Sequence, residues 1–192
     1  PAHEETAMSE VARYSLVQRQ LHWLLTLLVL LALGMGMTLG WLGFDGARDA
    51  FGEGVTNALY SAHKTLGVLV LALIAMRLVI RLTQGVPPPE PTLTRFERLA
   101  SHLVHVSLYW VLLAQPIVGW LATAAEGYPV QFFAWTLPGL IAKDEALGEK
   151  LFELHEFLAW ALLVLLALHI GAALMHEHIK HDGVMRRMSL SR

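Results

Sequence analysis

The sequence predicts an all-α protein, a transmembrane four-helix bundle with both termini in the cytoplasm. Three observations carry that prediction. The chain is very apolar: 55% of its 192 residues are hydrophobic and only 16% are charged, with a mean hydropathy of +0.51. Its longest apolar run, residues 157–175, carries one histidine and no formal charge, and is long enough to span a bilayer as a helix. Three more apolar runs of helical length are separated by Gly-rich, Pro-rich and acidic segments.

The elements follow in order. Residues 1–14 (PAHEETAMSEVARY) are acidic at first and lack an apolar core, so they read as an extramembrane tail rather than a signal peptide. Helix 1 is expected over residues 15–41. Gly34, Gly36 and Gly40 sit at the small-residue spacing that allows close helix contact in lipid. A Gly-rich, acidic loop is expected over 43–57, then helix 2 over 58–82, ending in the basic run MRLVIRL. The linker VPPPEP cannot continue a helix. Thr94 and Glu97 have capping-box spacing, so helix 3 should start at Arg95 and run to about Ala125. Pro116 lies mid-helix and should kink it. Residues 128–141 (YPVQFFAWTLPGLI) are aromatic and too short to span, which suits the membrane interface. An acidic stretch, 143–156, leads into helix 4. The spanning domain covers 15–182, and 183–192 read as a cytoplasmic tail.

Charge orients the bundle. Only Arg48, Lys64, Lys143 and Lys150 fall on the outer segments, and the other ten of the 14 Lys and Arg flank the inner ends. Positive residues favour the cytoplasmic side, which places both termini there. A net charge of -2 argues against a nucleic-acid partner, and the absence of cysteine excludes disulfides, iron–sulfur ligation and covalently attached haem.

Ten histidines in so apolar a chain need explaining. His155 and His169 are 14 residues apart on helix 4, just under four turns, so they share a face roughly 21 Å apart along the axis. A lone histidine in an apolar helix is ordinarily a hydrogen-bonded packing residue, because an imidazole left without a partner in lipid costs a few kcal/mol. Here each level has partners. His63 on helix 2 matches His155 on the outer side. His22, His102, His105 and His176 all fall toward the inner side with His169, and depth alone does not choose among them. Two histidines without Cys, Asp or Glu make a poor zinc site. They suit b-type haem, which takes an imidazole on each side of its iron. Two imidazoles fill both axial positions, so outer-sphere electron transfer is favoured over oxygen binding. Arg77 and Arg81, four apart on one face, either snorkel to the interface or pair with the propionates of an inner haem. His102 and His105 either lie at the interface or line a site beside that haem. His176, seven residues after His169, is placed to deliver protons to a quinone.

The segments ARYSLVQRQLHW, NALYSAHKTLG, MRLVIRL, ASHLVHVSLYW, PIVGW and the end from LHEFLAWALLVLLALH to HDGVMRRM together resemble the prokaryotic cytochrome b561 family, in order and spacing over residues 13–188. The resemblance implies two haems b in four helices, carrying electrons between the outer side and the quinone pool. It implies His22 and His169 as ligands of the inner haem, and His63 and His155 as ligands of the outer one. His102 and His105 match positions that are not ligands. The family's best-defined bacterial activity, superoxide oxidation coupled to ubiquinone reduction, is the expected function. Lys64 is then the expected cation steering superoxide, and His176 the proton donor to ubiquinone. The second reading is a membrane cytochrome b that accepts electrons from a soluble periplasmic donor. The outer segments favour it, with nine carboxylates against four basic residues.

Overall fold

The computed structural model describes residues 12–191. Residues 1–11, most of the expected N-terminal tail, lie outside the described part, as does Arg192. Four long helices form an up-down bundle: α1 (Leu16–Phe51), α2 (Glu53–Gln84), α3 (Arg95–Ala125) and α4 (Glu145–Met175). All four are long and apolar enough to cross a membrane. A short antiparallel hairpin, β1 (Val130–Phe132) and β2 (Trp135–Leu137), joins α3 to α4. A π-helical turn, His176–Lys180, and a 3-10 turn, Met185–Met188, follow α4.

Local sequence explains the helix ends. Ser15 and Gln18 form a capping box at α1, and Thr94 and Glu97 form the expected one at α3. The Asp144 side chain caps α4 by accepting from the Leu147 N–H. The helix of α3 continues through Pro116.

One expected loop is helical instead. Residues 43–57 are the end of α1 and the start of α2. The break falls at Gly43, where φ is +66°, and again at Gly52, φ +81°. Between them the acidic residues support a helix rather than dissolve it: Arg48 pairs with Asp45 at 3.0 Å, one turn away, and with Asp49 at 3.5 Å. Ala47 and Thr56 are fully buried, which anchors this turn to the bundle. The acidic stretch 143–156 is likewise mostly the first turns of α4, where carboxylates favour the positive end of the helix. Residues 183–192 do not form a free tail as far as Ser191. They fold back on the helix ends, with Arg187 buried and donating to the Ala12 and Pro88 carbonyls.

The bundle is two antiparallel pairs. Helix α1 packs on α2 and α3 packs on α4, with α2 against α3 and α1 touching α4 sparsely. Leu25, Val29, Val70, Ile74, Leu108 and Leu162 form the buried core midway along the helices. Both ends of the described chain meet on one side of the bundle, where the Tyr14 N–H donates to the Arg187 carbonyl. We call this the terminal end and the opposite side the hairpin end.

Candidate cofactor sites

The four helices share one offset. His22 and Gly36 on α1, His63 and Arg77 on α2, His105 and Gly119 on α3, and His155 and His169 on α4 are each 14 residues apart. Halfway between, seven residues along, lie Val29, Val70, Leu112 and Leu162, all part of or packed on the core. A seven-residue step returns nearly to the same helix face, so each helix presents two levels of special residues inward with one apolar layer between.

At the hairpin-end level the rings of His63 and His155 have centres 6.2 Å apart and planes at 90°. They reach from α2 and α4, helices that are diagonal in the bundle. Each ring is oriented by a backbone carbonyl on a neighbouring helix. His63 Nδ1 lies 3.1 Å from the Ala32 oxygen, and His155 Nδ1 lies 3.0 Å from the Gln115 oxygen. A carbonyl only accepts, so each Nδ1 carries the proton and each Nε2 keeps its lone pair, which at His155 accepts from the Gln115 amide nitrogen at 3.3 Å. The Gln115 amide also donates to the His155 carbonyl at 3.0 Å, while its own Oε1 is buried without a partner. Glycines make room for the rings. A Cβ at Gly36 would stand 2.6 Å from His63 Cε1, and one at Gly119 would stand 2.7 Å from His155 Cε1.

At the terminal-end level the centres of His22 and His169 are 6.1 Å apart, with planes at 78°. His105 approaches His169 more closely, at 5.1 Å, and its Nδ1 bonds the Ser101 carbonyl of its own helix. Arg77 reaches this level and donates to the Gln18 carbonyl, one turn before His22. Arg81 lies 5.9 Å over the Tyr109 ring. Both arginines are half-buried. His102 is exposed and takes part in none of these ring contacts. His176 lies farther out, buried, and bonded to Asp182.

Lys64 follows His63, but its ammonium is tied to the hairpin segment and donates to the Pro129 carbonyl at 2.9 Å. The Thr65 hydroxyl accepts from the Phe133 N–H at 3.3 Å, and Trp120 donates to the Pro138 carbonyl at 3.1 Å. The aromatic hairpin is thus strapped across the ends of α2 and α3, with Tyr128, Phe133 and Trp135 exposed as an interfacial segment requires.

The donor chemistry tests what these levels can hold. Among the described residues, no group of three or more His, Cys, Asp or Glu is arranged to bind a metal ion alone. Two imidazoles supply two nitrogens, so the remaining donors must come with the metal. A nitrogen about 2 Å from a metal puts its ring centre ~3 Å away, so two rings on opposite sides of one ion stand about 6 Å apart. Both pairs, at 6.2 and 6.1 Å, fit that spacing.

A family model described as prokaryotic cytochrome b561 matches residues 13–189, nearly the whole chain. The chain belongs to the prokaryotic cytochrome b561 family. It is 32% identical to cytochrome b561 homolog 2 of Escherichia coli K12, over 92% of this chain and 90% of that protein. Cytochrome b561 homolog 1 of the same organism is 28% identical, over 92% and 96% of the two chains. A protein named probable superoxide oxidase CybB, from Yersinia pestis, is 26% identical over 92% and 95%. Membership makes this chain a membrane electron-transfer protein of a family that binds b-type haem.

Sequence reasoning picked out the histidines and arginines but not Gly36, Gly119 or Gln115 in these roles. The glycines carry no chemistry of their own. Their signal is the 14-residue offset from His22 and His105, which repeats the spacing of the two histidines on α4.

Proposed function

We propose that this protein holds two haems b, one at each level of the bundle, and acts as a superoxide:ubiquinone oxidoreductase in a bacterial inner membrane. His63 and His155 would hold the haem at the hairpin end, and His22 and His169 the one at the terminal end. The observation that carries this reading is the near-identity of the two pairs: ring spacings of 6.2 and 6.1 Å on crossed planes. His105 is assigned a lining role, because 5.1 Å between ring centres is too close for a metal to sit between them. His102 is not a ligand.

When bound, the two haems supply one-electron carriers on either side of the apolar layer formed by Val29, Val70, Leu112 and Leu162. The protein's own residues do the rest. The carbonyls of Ala32 and Gln115 fix the tautomers of the hairpin-end ligands, so that Nε2 faces the metal. Arg77 and Arg81 present cations for propionate carboxylates at the terminal end. With the termini in the cytoplasm, the hairpin end faces the periplasm. There Lys64 is the cation nearest the ligands and raises the local concentration of an anionic radical. Each superoxide gives up one electron and leaves as dioxygen. Two such electrons and two protons convert ubiquinone to ubiquinol at the cytoplasmic side, where His176 supplies a proton.

The likeness to a probable superoxide oxidase supports this substrate. A second reading has its own support. The helical extensions at the hairpin end carry Asp45, Asp49, Glu53, Glu145, Glu149 and Glu153. Such a surface suits a basic soluble electron donor. Stopped-flow mixing of the oxidised protein with superoxide separates the two. Reduction much faster than spontaneous dismutation supports the oxidase, and no reduction beyond dismutation favours the soluble donor.

A further inference from the structure

The chain after α4 is built around one buried histidine–aspartate hydrogen bond. His176 Nδ1 donates to Asp182 Oδ2, with 8% and 6% of the two side chains exposed. Residues six apart do not meet on an α-helix. They meet here through three local departures. Helix α4 widens into the π turn His176–Lys180, His181 turns left-handed at φ +52°, and Gly183 does the same at φ +82°. Asp182 lies between these two left-handed residues, and its Oδ1 accepts from the Val184 N–H at 3.3 Å. Both flanks are pinned. Lys180 pairs with Glu97 on α3, and Arg187 is fixed to the Ala12 and Pro88 carbonyls. Strained backbone of this kind persists where its surroundings over-determine it, and π turns and left-handed non-glycine residues gather at functional sites. A buried polar pair is also a poor way to gain stability, since well-packed apolar residues of similar volume do as well. The arrangement needs a functional reason.

We propose that Asp182 is the positioning residue of a proton-delivering dyad. It holds Nδ1–H of His176, so that Nε2 faces a ubiquinone ring at the terminal end and passes its proton to one quinone carbonyl oxygen. This rests on the quinone-reducing reading above. The balance is simple. Ubiquinone gains two electrons, given up one each by two superoxide ions that leave as two dioxygen molecules. It also gains two protons. One O–H bond forms with the proton from His176 Nε2, and the other with a proton from cytoplasmic water. His176 keeps Nδ1–H throughout and recovers its Nε2 proton from the same water. Asp182 remains a carboxylate. It orients the imidazole, as a buried carboxylate does for a histidine acid–base elsewhere.

The test uses the full-length, haem-loaded protein. Reduced protein is mixed with a short-chain ubiquinone and its reoxidation is followed. Asp182→Asn keeps an oxygen acceptor but removes the charge. Its kcat for quinone reduction should fall about tenfold or more, with KM within about twofold and haem content unchanged. Asp182→Glu should restore part of the rate. A second readout does not depend on turnover. In ¹⁵N-histidine-labelled, reduced protein, the His176 signals, identified by their loss in His176→Ala, should show a protonated Nδ1. If wild-type protein reoxidises with quinone and Asp182→Asn keeps the wild-type kcat, the dyad falls and the quinone reading stands. An unprotonated Nδ1 in wild-type protein also overturns the dyad. If wild-type protein is not reoxidised by quinone at all, the quinone reading falls and the dyad with it.

Discussion

Gly36 on α1 lies against the Cε1 edge of the His63 imidazole on α2, so close that a single Cβ there would stand 2.6 Å from Cε1. The neighbour it would strike is a ring held by a carbonyl bond to Ala32, and it has little room to retreat. Gly119 stands in the same relation to His155. The hairpin-end pair is thus enclosed by two glycines from α1 and α3 and supplied by α2 and α4, one residue from each helix of the bundle.

Adding that one carbon should displace the ligand ring. Gly36→Ala and Gly119→Ala should each lower haem content by about half, while four helices still form. The pyridine haemochrome assay and circular dichroism measure the two quantities. Alanine at either position with two full haems would mean that the rings tolerate the contact and that the glycines serve helix packing alone.

The ligand assignment makes a selective prediction. His63→Ala and His155→Ala should remove one haem, and His22→Ala and His169→Ala should remove the other. His105→Ala and His102→Ala should keep both. Reduced-minus-oxidised spectra of each variant decide it. Loss of a haem in His105→Ala with both retained in His22→Ala would reverse the terminal-end pairing.

Arg77 is half-buried beside the terminal-end histidines, and Arg81 lies one turn on. Reduction adds an electron, which a nearby cation stabilises, so removing either arginine should lower the terminal-end haem potential. An interaction of ~1 kcal/mol corresponds to about 40 mV for one electron. Redox titration of Arg77→Leu and Arg81→Leu should show that fall with the other haem unmoved. Unchanged potentials would make both residues interfacial anchors.

Lys64 has two jobs in this account. Its ammonium ties the hairpin to α2, and its charge draws superoxide toward His63. Superoxide reduction of the protein should slow as salt rises, and Lys64→Glu should slow it at low salt without loss of haem. A rate in Lys64→Glu equal to wild type at low ionic strength would remove steering from the mechanism.

Much of the fold was legible because lipid makes a blunt demand. Each span is a long apolar run, and Pro87, Pro88 and Pro89 break the chain where the structure turns between α2 and α3. The helical extensions at 43–57 and 143–156 were not legible. Their glycines and carboxylates look like loop composition, and only tertiary contacts such as buried Ala47 and the Arg48 pairs favour helix. At the sites, a histidine announces itself in an apolar segment, so the ligand candidates could be read directly. Depth along the helices did not choose among five on the terminal side; the family resemblance implied His22 and His169, and their ring spacing matches that of the hairpin-end pair. Asp182 was hidden for a different reason. Its contact with His176 depends on two left-handed residues that no periodicity predicts.

Two haems b in two histidine-paired levels are tested most directly by a haem count. A pyridine haemochrome assay on fully loaded, purified protein should give two haems b per chain, falling to one in His63→Ala and in His169→Ala. A count of one in the wild type, or none, would contradict the account.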